Sequence, residues 1–226
     1  MKEPIHIVST KNLLEAQKQH LLTPNFFYQE EDFIKIVNTN FTINTIGEYL
    51  IVTSQNAVES IILNAKKAQL KKHKCFCVGI KTRALLEHYG FEVIVYSDYA
   101  AELASIICNQ YQKSTFTFFS GNLRRDILPE AMLLAQVSFK EIVIYETILQ
   151  SHKISSKPDG ILFFSPSGVE SYLQQNTITN ETCFCIGKTT AEALETTNTI
   201  IANQPTIENT ILQCINYYNK ISILHE

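Results

Sequence analysis

The chain reads TCFCIGKTT from Thr182 to Thr190, and far upstream it reads KCFCVGIKT from Lys74 to Thr82. Each copy runs into a helix-like stretch, RALLE after the first and AEALE after the second. The likeness widens upstream. LIVTSQNAVESIIL (50–63) precedes the first copy and ILFFSPSGVESYL (161–173) the second, so that Ser54 aligns with Ser165 and Val58-Glu59-Ser60 with Val169-Glu170-Ser171. The repeated unit is therefore strand, serine-bearing turn, helix, strand, glycine-bearing turn, helix. A period of about 110 residues is too long for a solenoid unit. It fits two copies of one α/β domain.

Composition agrees with that size. The chain has 226 residues, 45% of them hydrophobic, which is ample for globular cores. A net charge of −3 gives no basic field for nucleic acid. The basic run KKAQLKKHK (66–74) has no aromatic interleaving and reads as a solvated face. No stretch approaches the ~20 apolar residues of a membrane span, and MKEPIHIVST carries no apolar run of signal-peptide length. The expectation is a cytoplasmic monomer with reduced cysteines and no nucleic-acid or membrane partner. The cysteines are Cys75, Cys77, Cys108, Cys183, Cys185 and Cys214. In a strand, residues two apart share a face, so each C-x-C pair reads as buried thiols in a core and not as a zinc knuckle.

Short apolar runs alternate with helical patterns along the chain. Strands are expected at 5–8, 49–53, 75–78, 91–96, 115–119, 141–145, 161–164, 183–186 and 199–202. Helices are expected near 11–22, 56–68, 82–89, 98–112, 122–136, 167–175, 189–196 and 206–219. Such alternation, with strands apolar on both faces, predicts parallel sheets covered by helices. Thr189-x-x-Glu192 and Asn56-x-x-Glu59 have capping-box spacing, Ser165-Pro166 reads as an N-cap with proline at the first helical position, and Gly90 as a helix stop. The second repeat begins too late to have enough strands of its own. It needs the N-terminal IHIVST strand, which makes its domain discontinuous. The expected architecture is two flavodoxin-like parallel-sheet α/β domains joined by a two-strand crossover, with a cleft between them. One domain is formed by 1–35 and 150–226 and the other by 41–138, with 36–40 and 139–149 as linkers. The crossing stretches are FFYQEEDFIKIVN (26–38) and KEIVIYETILQ (140–150), and Glu30-Glu31-Asp32 reads as a solvated loop.

Ligands of open parallel sheets bind beyond the carboxyl ends of the strands. Here those tips hold Ser54 and Gln55, then Gly79, Lys81 and Thr82, then Ser120 and Gly121. In the second repeat they hold Ser165, Ser167 and Gly168, then Gly187, Lys188, Thr189 and Thr190. They are small, neutral and hydrogen-bonding, with few charges. No G-x-G-x-x-G, P-loop or G-x-S-x-G stretch is present, and His6, His20, His73, His88, His152 and His225 fall at no metal spacing. What remains is a row of serine, threonine and glycine turns at helix starts, in two copies. Free amides at such turns receive anions, which suits a large ligand with many negative groups. A two-domain binding module without chemistry, or a flavin-carrying electron carrier, has the same tips.

ILFFSPSGVESYL and CFCIGKTTAEAL resemble the motifs of the uroporphyrinogen-III synthase family, and IVIYET, with Tyr145, matches that family's tyrosine on the second crossover. VGIKTRALLEHYGFEV is similar to the weaker equivalent in the other domain, whereas VSTKN departs from the family's usual opening and leaves Lys11 without a role. The resemblance implies a lyase without metal or cofactor. Its substrate would be the linear tetrapyrrole hydroxymethylbilane, which loses water and closes to uroporphyrinogen III with ring D inverted. It implies Tyr145 as the catalytic residue and the tips above as substrate-binding.

Overall fold

A computed structural model describes residues 4–195 and 198–224, the side chains of 222–224 excepted. Residue 196, the end of the run expected to be helical, and His225 lie outside the described residues. The strands are β1 (Ile5–Ser9), β2 (Phe26–Glu30), β3 (Ile34–Asn38), β4 (Tyr49–Val52), β5 (Lys74–Val78), β6 (Val93–Ser97), β7 (Thr115–Gly121), β8 (Ser138–Leu149), β9 (Gly160–Phe163), β10 (Thr182–Cys185) and β11 (Thr199–Ile201). The helices are α1 (Glu15–Lys18), α2 (Gln55–Leu63), α3 (Lys67–Leu70), α4 (Ile80–His88), α5 (Ala100–Gln110), α6 (Ile127–Leu134), α7 (Pro166–Leu173), α8 (Lys188–Ala191) and α9 (Ile207–Leu224). Two compact units result, Met1–Lys35 with Ile148–Glu226, and Ile36–Thr147.

The discontinuous unit holds a parallel sheet of order β11-β10-β9-β1-β2, the flavodoxin-like order when its strands are numbered along the chain. The continuous unit holds β3-β8-β7-β4-β5-β6. Its strands from β4 to β8 form parallel ladders. β3 runs antiparallel to β8, since Thr39 N–H donates to the Ile144 carbonyl at 3.1 Å and Gln150 N–H to that of Phe33 at 2.8 Å. Laying the repeats on each other matches β4 with β9, β5 with β10 and β6 with β11. The sheet orders then match β7 with β1 and β8 with β2. The two sheets are circular permutations of one another. The pair of strands that comes last in one copy of the domain, β7 and β8, comes first in the other as β1 and β2.

Each Cys-Phe-Cys run sits second from one edge of this shared pattern and faces two helix layers. Cys75 and Cys77 pack with Ala57, Val58, Ile61 and Leu86, while Phe76 points to Leu103, Ile107 and Phe116. Cys183 and Cys185 pack with Val169 and Tyr172, while Phe184 points to Ile211, Cys214 and Tyr218. Phe76 and Phe184 are fully buried, and each such ring contributes roughly 2–3 kcal/mol by leaving water. The repeat thus encodes one small-large-small layer twice.

Burial pushes the thiols of Cys75, Cys77, Cys183 and Cys185 up to about 12. A thiol of an unfolded chain titrates near ~8.5. The folded value is the higher one, so this contribution is fully present below pH ~8.5 and is lost as pH climbs toward 12. The expected result is a melting temperature that falls steadily above pH ~9. At pH 8 iodoacetamide should leave both pairs unlabelled, which mass spectrometry reads directly. Fast labelling of either pair in folded protein would show that its strand opens.

Several boundaries differ from expectation. The stretch 26–30, expected as part of a crossing segment, is β2, the edge strand paired with β1 from Ile5↔Phe26 to Ser9↔Glu30. Its acids are not a free loop. Glu30 accepts from Leu13 N–H at 2.8 Å, Tyr28 at 2.6 Å and Lys18 at 3.0 Å, and Asp32 accepts from the amide and side chain of Asn12. These carboxylates anchor the turn that follows β1. The stretch 139–149, expected as a linker, lies within β8. The run at 56–68 breaks into α2 and α3 because the Asn64 side chain takes the Lys66 amide at 2.9 Å, an Asx-turn. The Asn56 and Thr189 capping boxes do not form. Their helices start earlier, at Gln55 and Lys188, which puts both residues inside the first turn.

Candidate functional site

In each unit the strand order reverses between two neighbours, β4 and β7 in one and β9 and β1 in the other. Chains leave such neighbours in opposite directions and open a crevice at their carboxyl ends. The matching serines, Ser54 and Ser165, stand there. Each has an extended backbone and caps a helix: Ser54 accepts from Ala57 N–H at 3.1 Å and Ser165 from Gly168 N–H at 3.0 Å, with Pro166 next to it.

At the β4/β7 crevice Ser54 has a partner. The Tyr145 hydroxyl lies 3.0 Å from Ser54 Oγ. The ladder explains how the ring arrives. Ser120 pairs with Val143, but Gly121 pairs with Tyr145, so β8 carries one extra residue at a β-bulge. Strict alternation would send Ile144 and Tyr145 to opposite faces. The bulge instead turns Tyr145 to the side of Ile144, where both meet the core under α2. Gly121 makes room, because a Cβ there would lie 2.3 Å from the Tyr145 ring carbon Cζ. Asn122 fixes the strand beyond, accepting from Thr147 N–H at 2.8 Å and donating to its carbonyl at 3.3 Å.

Ser120 is turned inward. It is fully buried and donates to Glu141 at 2.6 Å, and Arg124 grips the same carboxylate through Nε at 2.6 Å and Nη2 at 2.9 Å. The Arg124 guanidinium holds Glu141 below the usual carboxylate range, helped by Ser120 and opposed by burial. This cluster, with Asp126 also on Arg124, braces the end of β7. It leaves no mark in the sequence, since no spacing rule joins an arginine to a glutamate 17 residues away.

In the other unit Thr10 donates to the Leu162 carbonyl at 2.8 Å, tying β1 to β9, and Ser165 lies 3.1 Å from Ser167. Gly168 is buried, and a Cβ on it would stand 3.2 Å from Ser165 Oγ and 3.6 Å from Thr10 Oγ1. The remaining turns are less uniform than expected. Gly79 has φ of +86°, which favours glycine, whereas Gly187 is extended at −171°. Gln55, Lys81, Lys188 and Thr189 are exposed, but Thr82 and Thr190 are buried at 5% and 2%, so their side chains support the turns from within. α8 is a single turn and carries little dipole. Among the described residues no three His, Cys, Asp or Glu side chains group as a metal site. None of the helices there is long and apolar enough to cross a membrane.

Residues 31–211 match the family model described as uroporphyrinogen-III synthase HemD. The chain belongs to the uroporphyrinogen-III synthase family. The resemblance carried by the SPSG and IGKTTAEAL motifs is borne out. A curated relative, uroporphyrinogen-III synthase of Saccharomyces cerevisiae, is 27% identical over 176 residues, 64% of this chain and 63% of that protein. The match therefore spans less than two thirds of the yeast protein's length. Among solved structures, uroporphyrinogen-III synthetase from Helicobacter pylori aligns with a TM-score of 0.70 at 20% identity, covering 94% of this chain and 99% of that one. A mutant uroporphyrinogen III synthase from Thermus thermophilus aligns with 0.69 at 12%, covering 96% and 99%. At such identities the likeness speaks for the fold, the two-domain parallel α/β architecture of uroporphyrinogen-III synthase structures.

Proposed function

We propose that this chain catalyses the reaction its family is named for. It would convert hydroxymethylbilane, a linear tetrapyrrole with eight carboxylates, to uroporphyrinogen III by loss of water and inversion of ring D. The observation that carries the reading is the Tyr145 phenol, delivered by a bulge to the β4/β7 crevice and bound to Ser54 in a chain of this family. Amide turns of each unit take up substrate carboxylates: those following Ser54, Gly79, Ser165 and Gly187, with Gln55, Lys81, Lys188 and Thr189 exposed beside them and Ser167 half-buried. Holding a flexible chain in one fold is itself catalysis by positioning. Tyr145 supplies the proton for the departing hydroxyl. The free, buried thiols suit a reducing compartment, and the reading takes the enzyme as a cytoplasmic monomer.

The test is incubation with fresh hydroxymethylbilane, without added metal or nucleotide, followed by oxidation and isomer analysis. The type III porphyrin is expected to dominate. Formation of only the spontaneous type I product would replace the enzyme reading with that of a binding module.

A further inference from the structure

Ser54 and Tyr145 carry two hydroxyl protons between them, and their mutual bond at 3.0 Å uses one. The other is free to point outward. Ser54 Oγ also accepts from Ala57 N–H at 3.1 Å, inside the first turn of the nine-residue helix α2. One oxygen therefore touches both the phenol and the positive end of a helix. We propose that Ser54 is a positioning residue for the reaction, coupling the Tyr145 phenol to the N-terminus of α2 so that the phenolate left by proton transfer is stabilised. The inference rests on the proposed function and adds a residue to it.

The C–O bond of the terminal hydroxymethyl group breaks, and its electron pair leaves with the oxygen. The Tyr145 proton converts that oxygen to water, while the lone pair of the pyrrole nitrogen moves into the ring and the ring π electrons it displaces form the exocyclic double bond. The phenolate regains a proton when the newly joined pyrrole carbon loses its hydrogen. While charged, the phenolate needs a donor, and Ser54 O–H is the hydroxyl beside it. Its remaining lone pair still holds the α2 amide, so the helix dipole reinforces the donor. The bulge at Ser120/Gly121 and the missing Cβ of Gly121 keep the phenol in reach of that oxygen.

Ser54→Gly removes the hydroxyl yet keeps an acceptable helix cap. It is expected to lower kcat about tenfold, the scale of one hydrogen bond to a charged group. KM should change little, and the melting temperature should fall by only about 2–4 °C for the lost bond to Tyr145. In a Tyr145→Phe background the same substitution should have no further effect on kcat, and Ser54→Thr should restore the parent rate. A reading independent of activity is the 13C signal of the phenol carbon in tyrosine-labelled protein, assigned by its loss in Tyr145→Phe. It should move in Ser54→Gly and return in Ser54→Thr. An unchanged kcat, an equal loss with and without the Tyr145 hydroxyl, or an unmoved signal overturns the coupling while leaving the proposed function standing. A parent chain that makes no uroporphyrinogen III removes the proposed function and this catalytic role together.

Discussion

Tyr145→Phe protein is expected to form uroporphyrinogen III about 100-fold more slowly than the parent, at the low end of what a positioned general acid contributes. The low end is expected because the pyrrole nitrogen already drives the hydroxyl out, so the acid assists a departure that is under way. The substitution keeps the ring. Its packing over Gly121 and against the core under α2 therefore stays, and only the bond to Ser54 is lost. That bond is worth about 1 kcal/mol of stability, too little to unfold the chain. The competing role for Tyr145 is packing alone, in which case the phenylalanine variant turns over at the parent rate. Turnover and melting temperature measured on one sample separate the two: parental turnover in folded Tyr145→Phe protein ends the case for an acid.

Gly47→Ala should be the most damaging single methyl group in the continuous unit. The added Cβ would lie 2.6 Å from the Phe116 carbonyl carbon, and 2.8 Å from its Cα and nitrogen. Those are backbone atoms of β7, a strand held on both sides by β4 and β8, so no rotamer change relieves the clash. Shifting either segment also breaks the bond from Gly47 N–H to Thr117 Oγ1, 2.8 Å long and fully buried at the threonine. Overpacking of this kind costs about 3 kcal/mol, a drop on the order of 10 °C in melting temperature. Gly187→Ala is the control. Nothing stands within 4 Å of its Cβ position and its backbone is extended, so stability should stay within about 0.5 kcal/mol. Equal melting temperatures for the two variants would mean that the 45–48 segment does not lie against β7 as described.

Most strands were legible because parallel strands, buried on both faces, leave unbroken apolar runs. The borrowed N-terminal strand was legible from counting, since the second repeat lacked a partner for its first. β2 was hidden by its acidic end, which looks like loop until Glu30 and Asp32 are seen holding the turn after β1. Ser54 and Ser165 were visible as turn serines following apolar strands. That Ser54 also meets Tyr145 was not visible, because it depends on a bulge. A bulge is a mismatch of residue count between two strands, and neither strand's own pattern records it. Ser120 read as a substrate-binding tip residue for a related reason: its partner Glu141 lies on another strand, and Arg124 closes the pair from a turn.

The permuted sheet sets a timetable for synthesis. β1 leaves the ribosome long before its neighbour β9: His6 meets Asp159 across a separation of 153 residues. At roughly 5–20 residues per second, that interval is on the order of 8–30 s. Throughout it, IHIVS has only β2 along one edge, and its other edge is an open row of amides and carbonyls. The unit from Ile36 to Thr147 has all its strands in one stretch and is finished just before β9 is made. For most of that interval the nascent chain carries β1 and β2 as a waiting parallel pair while the other unit is still being made, and that pair is where a chaperone would be needed most.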